Sequence, residues 1–255
     1  MQEQLQSAPL NELLARLPLE DYTRLASRLQ QVKLERGQIL AHAGQQLGYL
    51  YFPFDAIVTK LHLTADGDTA AIGMIGREGV VGMSSFMDGG EIVAETLVIK
   101  AGAALRLERQ AFRREFERSG SFQKTLLRFL EAYIVQTGQI AVCYRHHTVE
   151  QQFCSWLLLY LERAAGGELR LTHELIAGLL GVRREAVTRA AFKLKQDGIF
   201  DYRRGWITIH NTARLRALAR ECYMVIHKAY QKLLKPLPEI AGNEQAETLP
   251  VNKAG

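Results

Sequence analysis

The stretch LTHELIAGLLGVRREAVTRAAFKLKQDGIF, residues 171–200, leaves the chain few ways to fold. Thr172 is placed to cap a helix, its hydroxyl accepting one of the backbone N–H groups that a helix start leaves unpaired. Glu174 follows in the first turn, where the helix dipole favours negative charge. Leu175, Ile176, Leu179 and Leu180 form an apolar stripe at helical spacing. Gly181 permits the left-handed conformation that ends a helix. A second helical pattern begins at once: Val187, Ala190, Ala191 and Leu194 share one face, and Arg184, Glu185, Thr188 and Arg189 occupy the other. The first helix gives the apolar face a packing surface, and the basic face stays free. This arrangement predicts a helix-turn-helix, whose second helix enters the major groove of DNA.

The next residues of the chain favour that reading over a plain helical hairpin with a solvated charged face. Asp197-Gly198 ends the second helix, and Tyr202 to Ile209 reads as a short hairpin with turn residues at Arg204-Gly205. A hairpin in this place is a wing. Between residues 183 and 204, seven Arg and Lys oppose three Asp and Glu, a net +4 out of the whole chain's +5. Charge gathered in so short a segment is the electrostatic footprint of a nucleic-acid partner.

The 255 residues suffice for one large or two ordinary domains. The 47% apolar and 23% charged content is that of a water-soluble globular protein. No apolar run approaches the roughly 18 residues needed to span a bilayer. The stretch MQEQLQSAPL has neither the basic nor the apolar region of a secretory signal, so a cytoplasmic protein without a membrane partner is expected. Cys143, Cys154 and Cys222 are odd in number and far apart, the pattern of buried thiols in a reducing compartment rather than of a disulfide framework.

Residues 10–30 read as a short amphipathic helical segment, with Pro18 between its two pieces and starting the second. From Val32 to Leu107 short β-rich runs recur at 32–35, 38–41, 49–52, 56–63, 69–75, 92–99 and 103–107. Evenly spaced short strands with turn residues between them predict a small barrel, sandwich or roll. Residues 109–118 and 121–147 are helical. In the longer helix Leu127, Leu130, Ile134, Thr137, Ala141 and Tyr144 recur at alternating steps of three and four, the seam of a two-stranded coiled coil. The alternative is a helix packed on its own β-domain, but Thr137, Gly138 and Ala141 are small enough for two helices to approach closely. A helix over 149–164 carries Phe153, Trp156, Leu157 and Tyr160 to cover the helix-turn-helix, and 212–235 forms a last amphipathic helix. Prolines among polar residues predict a disordered tail over 236–255. The fold class is therefore α+β: a β-domain over 10–118, a dimerisation helix over 119–147 and a winged helix-turn-helix over 148–235.

This order of parts resembles the Crp/Fnr family of regulators, in which a double-stranded β-roll, a long dimer helix and a winged helix-turn-helix follow one another. The resemblance covers about residues 10–230. Its most specific part is Gly181-Val182-Arg183-Arg184-Glu185-Ala186-Val187-Thr188-Arg189, which matches the family's G-x-x-R-E-x-V-x-R pattern. Gly37, Tyr51-Phe52 and the run from Gly76 to Gly82 are similar to its β-roll landmarks. His147 to Gln152 through Trp156-Leu157-Leu158, with Leu171 to Glu174 and Tyr202 to Gly205, resemble a bacterial branch of poorly characterised members. The resemblance implies a homodimer through the 121–147 helix, bound to double-stranded palindromic DNA and in contact with RNA polymerase. It also implies that Arg184, Glu185 and Arg189 read base edges, that Thr188 shares their face, and that Thr172, His173, Arg183, Arg203 and Arg204 meet phosphates. The chemistry agrees: Arg can bond guanine O6 and N7 in a bidentate fork, and Glu can accept from cytosine N4. Arg183 stands where the family often has Ser, so the second helix gives up a side-chain cap worth about 1 kcal/mol and gains a cation near a phosphate.

The sensor half departs from the nucleotide-binding members, which hold the phosphate with Arg-Ser or Arg-Thr followed by Ala. With Ala94 aligned to that Ala, Ile92 and Val93 take those places and Glu91 lies beside them. Apolar groups and a carboxylate are poor company for an anion, so a cyclic nucleotide is disfavoured and no cofactor is evident. Arg77, Glu78, Gly79 and Gly82 remain as effector candidates, the glycines through backbone N–H groups and Arg77 through its charge, against the alternative of a structural turn. An iron–sulfur cluster needs four thiolates, and the first cysteine here is Cys143. His42 and His62 stand alone, and His146 and His147 diverge as helix neighbours, so no metal site is predicted.

No P-loop, Gly-x-Ser-x-Gly elbow or metal cluster is present in the sequence pattern, so no catalytic residue and no enzyme activity are assigned. The function expected is a sequence-specific DNA-binding transcription regulator. The alternatives are a small-molecule-binding β-roll protein with a vestigial DNA domain, and a dimer that uses the seam alone. The charge over 183–204 favours the regulator.

Overall fold

The computed structural model describes residues 11–83, 86, 91–164 and 169–235, so the tail expected over 236–255 lies outside the described residues. The first described residue already has a structural task. Asn11 is fully buried; its Nδ2 donates to the carbonyls of Pro53 at 2.7 Å and Gly79 at 3.0 Å, and its Oδ1 accepts from the N–H groups of Leu13 and Leu14. A single 3-10 turn, Leu14–Arg16, follows, and then α1, Leu19–Ala26, with Pro18 at its N-cap. The expected helical segment is thus one turn and one helix.

The roll comprises β1 (Gln30–Leu34), β2 (Ile39–Ala41), β3 (Tyr49–Pro53), β4 (Ile57–Leu63), β5 (Thr69–Ile75), β6 (Glu95–Lys100) and β7 (Gly102–Glu108). These pair antiparallel into two sheets, β1-β7-β3 and β2-β6-β4-β5. Leu34, Phe52, Val58, Met74, Val98 and Leu107 from both sheets enter one core. Each strand overlaps a β-rich run expected from the sequence; β1 starts two residues early, at Gln30, and β6 starts at Glu95 rather than 92, opposite Leu61. Ile92 is instead tucked beside Ala41 and Leu47, while Val93 points to solvent.

Helix α2, Arg109–Glu117, leads to α3, Ser121–His146, and α4, Val149–Arg163. The α3–α4 joint is short: His147 ends α3, and Thr148 at once caps α4 in a capping box with Gln151. Strand β8 (Leu169–Arg170), α5 (His173–Leu180), α6 (Arg184–Gln196), β9 (Phe200–Arg203), β10 (Trp206–Ile209) and α7 (Thr212–Leu233) complete the chain. β8 pairs with β10 through only two residues, too few to leave an alternation signal in the sequence.

Helix α3 has two faces. Phe122, Leu126, Phe129, Ala132, Gln136, Ile140 and Cys143 are buried. Leu127, Ile134 and Ala141 are exposed, and Leu130 and Thr137 are half-buried. Tyr144 departs from that seam: its hydroxyl turns inward, 2.6 Å from the carbonyl of Ala71 and 2.8 Å from that of Leu179. Close approach of α3 to β5 and to the loop that follows it needs small residues there. A Cβ on Gly73 would lie 2.6 Å from the Tyr133 hydroxyl, and one on Gly79 would lie 2.5 Å from the Phe129 ring.

Candidate nucleic-acid interface

The helix-turn-helix forms as its sequence dictates. Thr172 Oγ1 accepts the Leu175 N–H at 3.1 Å, and Gly181 ends α5 in the left-handed region at φ 66°. Ile176, Leu179 and Leu180 meet Val187, Ala190, Ala191 and Leu194 in the core, roofed by Phe153, Trp156, Leu157 and Tyr160 of α4. The turn is seated on the roll, where Thr69 Oγ1 donates to the Gly178 carbonyl at 3.0 Å.

Burying that face of α6 turns the other outward. Arg184, Glu185, Thr188 and Arg189 line an open groove of ≈ 370 Å³. Arg184 Nε lies 3.9 Å from Glu174 Oε2, and both side chains are largely exposed. Such a surface pair contributes at most about 1 kcal/mol, so the guanidinium can leave it for a base or phosphate. Arg183 is exposed and makes no side-chain capping bond, as its replacement of Ser implied. The wing closes with a two-residue turn between paired Arg203 and Trp206; Arg204 at φ 49° and Gly205 at φ 87° give the geometry that matches strand twist. Both arginines at its tip are exposed.

Thr172 and His173 both have structural partners. The Thr172 oxygen caps α5 as expected, and its side chain stays exposed. His173 is half-buried: its ring lies against Tyr202 with centroids 4.3 Å apart, and its Nδ1 is 3.0 Å from Thr188 Oγ1. Burial, reinforced by the charge of Arg184, lowers its pKa below the usual 6.5. These contacts brace α5, α6 and the wing against one another.

Phe192 was not singled out by its sequence pattern, yet it is 63% exposed on the outward face of α6. The signal was there: an apolar residue seven positions after Glu185 and three after Arg189, off the apolar stripe. In a major groove such a ring can meet a thymine methyl.

The effector candidates are dispersed among structural bonds. Glu78 is buried and pairs with Arg163 at 2.8 Å, and Arg77 pairs with Glu12 at 2.8 Å. Both line a cavity of ≈ 250 Å³ between the roll and α7, together with Arg163, Glu162 and Tyr230. Gly79 donates its N–H to the Gly76 carbonyl at 3.1 Å, and Gly82 sits apart at φ 107°. Cys143 and Cys222 are free and buried, as their sequence pattern implied. Though far apart in the chain, they and His147 have donor atoms within 4.8 Å of one another. Cys143 and His147 stand four apart at the end of α3, a spacing that puts both on one face, but Cys222 lies 75 residues or more away, so the third member leaves no local signal.

Comparison with known proteins agrees with this geometry. A family model described as a Crp-like helix-turn-helix domain matches residues 151–218, and a cyclic nucleotide-binding domain model matches residues 31–119. A CRP-like cAMP-activated global transcriptional regulator from Mycobacterium tuberculosis is 26% identical over 198 residues, covering 75% of this chain and 85% of its own. Among solved structures, a Crp/Fnr-family regulator from Eubacterium rectale aligns with TM-score 0.63 and 19% identity, over 80% of this chain and 95% of its own. FixK2 from Bradyrhizobium japonicum aligns with TM-score 0.64 and 18% identity, over 74% and 96%. No helix of the described residues is long and apolar enough to cross a membrane. With a β-roll, a long connecting helix and a winged helix-turn-helix in that order, and a matching model for each end, the chain belongs to the Crp/Fnr family of transcriptional regulators.

Proposed function

We propose that the chain works as a homodimer in the cytoplasm, gripping a palindromic DNA site with two copies of α6 set about one helical turn apart. The observation that carries this reading is the outward face of α6, where Arg184, Glu185, Thr188 and Arg189 stand exposed beside a wing tipped by Arg203 and Arg204. Arg184, Glu185 and Arg189 read base edges. Arg183, Thr172, His173 and the wing arginines meet phosphates, and Thr172 and His173 also brace the reading helix. Pairing of two α3 helices through Leu127, Leu130, Ile134 and Ala141 supplies the two-fold axis and covers apolar side chains that a single chain leaves in water. RNA polymerase is the partner through which such a dimer acts on transcription. The M. tuberculosis relative is named for activation by cAMP. In this chain Ile92 is buried and Val93 projects outward, which supports an input other than a cyclic-nucleotide phosphate.

The test is fluorescence anisotropy on DNA from the chain's own promoter region. Arg184→Ala and Arg189→Ala should each weaken binding by about 1–3 kcal/mol, on the order of tenfold or more. Variants that bind as tightly as the parent would overturn the reading.

A further inference from the structure

We propose that Cys143, His147 and Cys222 form a binding site for one Zn2+ ion at the joint between α3 and the DNA-binding half. Cys143 lies in the last turn of α3, His147 is its C-cap residue, and Cys222 comes from α7. All three donor atoms fall within 4.8 Å of one another, and Cys222 Sγ is 3.3 Å from His147 Nδ1. Tetrahedral zinc, with Zn–S about 2.3 Å and Zn–N about 2.0 Å, places a sulfur and a nitrogen ligand about 3.6 Å apart and two sulfurs about 3.8 Å apart. The side chains are therefore gathered to nearly the spacing that an ion requires.

The surroundings are those of a metal site. His147 Nε2, on the far side of the ring, is 3.1 Å from Glu221 Oε1. A carboxylate there fixes the ring's orientation and makes the opposite nitrogen a better donor to a metal. Gln139 Nε2 donates to Cys222 Sγ at 3.3 Å, as an outer group does to a ligating thiolate. Cys143 is 4% exposed and Cys222 1%. Two thiolates, a neutral imidazole and Zn2+ sum to zero charge, the condition under which ionic groups tolerate such burial. Soft sulfur with imidazole selects zinc over magnesium or calcium. Three protein donors leave the fourth tetrahedral position open.

The backbone contributes as well. Arg220, at φ 55° and ψ −152°, interrupts the helical path of α7 two residues before Cys222 and sets the direction from which that thiol arrives. An ion here bonds the end of α3 to α7, and so fixes the angle at which the reading head leaves the long helix. That consequence rests on the DNA-binding reading; the site itself does not.

The test uses the full chain. Elemental analysis after dialysis should find one zinc per chain. Titration of the stripped protein with Co2+ should give thiolate-to-cobalt charge-transfer bands and the red ligand-field bands of a tetrahedral site. Cys143→Ser, Cys222→Ser and His147→Ala should lose both signals, and Cys154→Ser, which alters a buried thiol outside the group, should keep them. Glu221→Gln should bind Zn2+ about 10- to 100-fold more weakly. Circular dichroism of each variant against the stripped parent separates lost ligation from lost folding. A parent chain with neither zinc nor a cobalt spectrum overturns the site. So does a Cys143–Cys222 disulfide in peptide maps of the native chain, and so does equal loss in Cys154→Ser. DNA affinity should drop when a chelator strips the ion. Metal binding without DNA binding in any state would support the site and overturn the DNA reading instead.

Discussion

Arg163 Nε and Glu78 Oε1 meet at 2.8 Å with both side chains almost wholly buried, and the pair fastens α4 to the β-roll. The guanidinium also donates to the carbonyls of Met74 and Leu159 and to Gln136 Oε1, and lies 4.8 Å over the Tyr230 ring. Burial works against the Arg163 charge, but Glu78, Tyr230 and Glu162 outweigh it and raise its pKa. Removing one partner from such a pair leaves an uncompensated buried charge, at a cost of about 3–5 kcal/mol. Glu78→Ala should lose that much stability in urea unfolding, with Glu78→Gln milder because it can still accept a bond. A loss below about 1 kcal/mol for Glu78→Ala would show that water reaches and solvates the arginine.

Phe192 should matter to DNA and not to folding. Its ring is exposed, so Phe192→Ala should shift stability by no more than about 0.5 kcal/mol. Replacing thymines by deoxyuridine in the bound site removes only methyl groups. At the base the ring touches, this should weaken the parent chain and leave Phe192→Ala unaffected, a coupling that a double-mutant cycle isolates. Equal effects on both proteins would place the ring away from the bases.

His173 makes stability depend on pH. Its folded pKa is depressed below 6.5 by burial and then by Arg184. Between the folded value and 6.5 the unfolded chain therefore binds more protons, and stability falls as pH falls through that window. His62, depressed by burial and by Lys60, acts in the same direction. The diagnostic quantity is thus the difference between parent and His173→Gln: thermal melts should show a shallower acid-side loss in the variant, and parallel curves would remove His173 from the account.

Ile134, 67% exposed in the single chain, should carry the dimer. Ile134→Glu costs a monomer little, yet places two carboxylates in an apolar seam of the pair. Sedimentation should report monomers with an unchanged helical spectrum. A variant that remains dimeric would move the two-fold axis off this face.

Arg203 and Arg204 should act through phosphates. Each Ala substitution should lower the slope of log affinity against log salt by about 1 and weaken all sequences alike. A change confined to one DNA sequence would instead mark a base contact at the wing.

How much of the molecule was legible in its sequence tracks the range of the forces involved. The Thr172 cap, the Gly181 stop, the α6 stripe and the Arg204-Gly205 turn are decided by residues within a few positions of one another, and each forms as its local pattern implies. The strands were legible as texture but their order was not, because pairing partners such as Val32 and Ala104 lie far apart in the chain. The misplaced elements depend on three-dimensional company. Tyr144 satisfied the seam's spacing, but two backbone carbonyls draw its hydroxyl inward. Asn11 reads as one more polar residue of the first helical segment until Pro53 and Gly79 converge on it. The Cys143, His147 and Cys222 group exists only once α7 folds back along α3.

The Tyr144 hydroxyl sets one last condition on how the two halves are joined. It accepts the Trp156 indole N–H at 3.2 Å and faces the Ala71 carbonyl of the roll at 2.6 Å and the Leu179 carbonyl of the reading unit at 2.8 Å. A phenol has one hydrogen to give. Strand β5 and helix α5 therefore share a single hydrogen. One phenol thus ties the roll to the helix-turn-helix through two carbonyl oxygens that no long-range pattern in the sequence brings together.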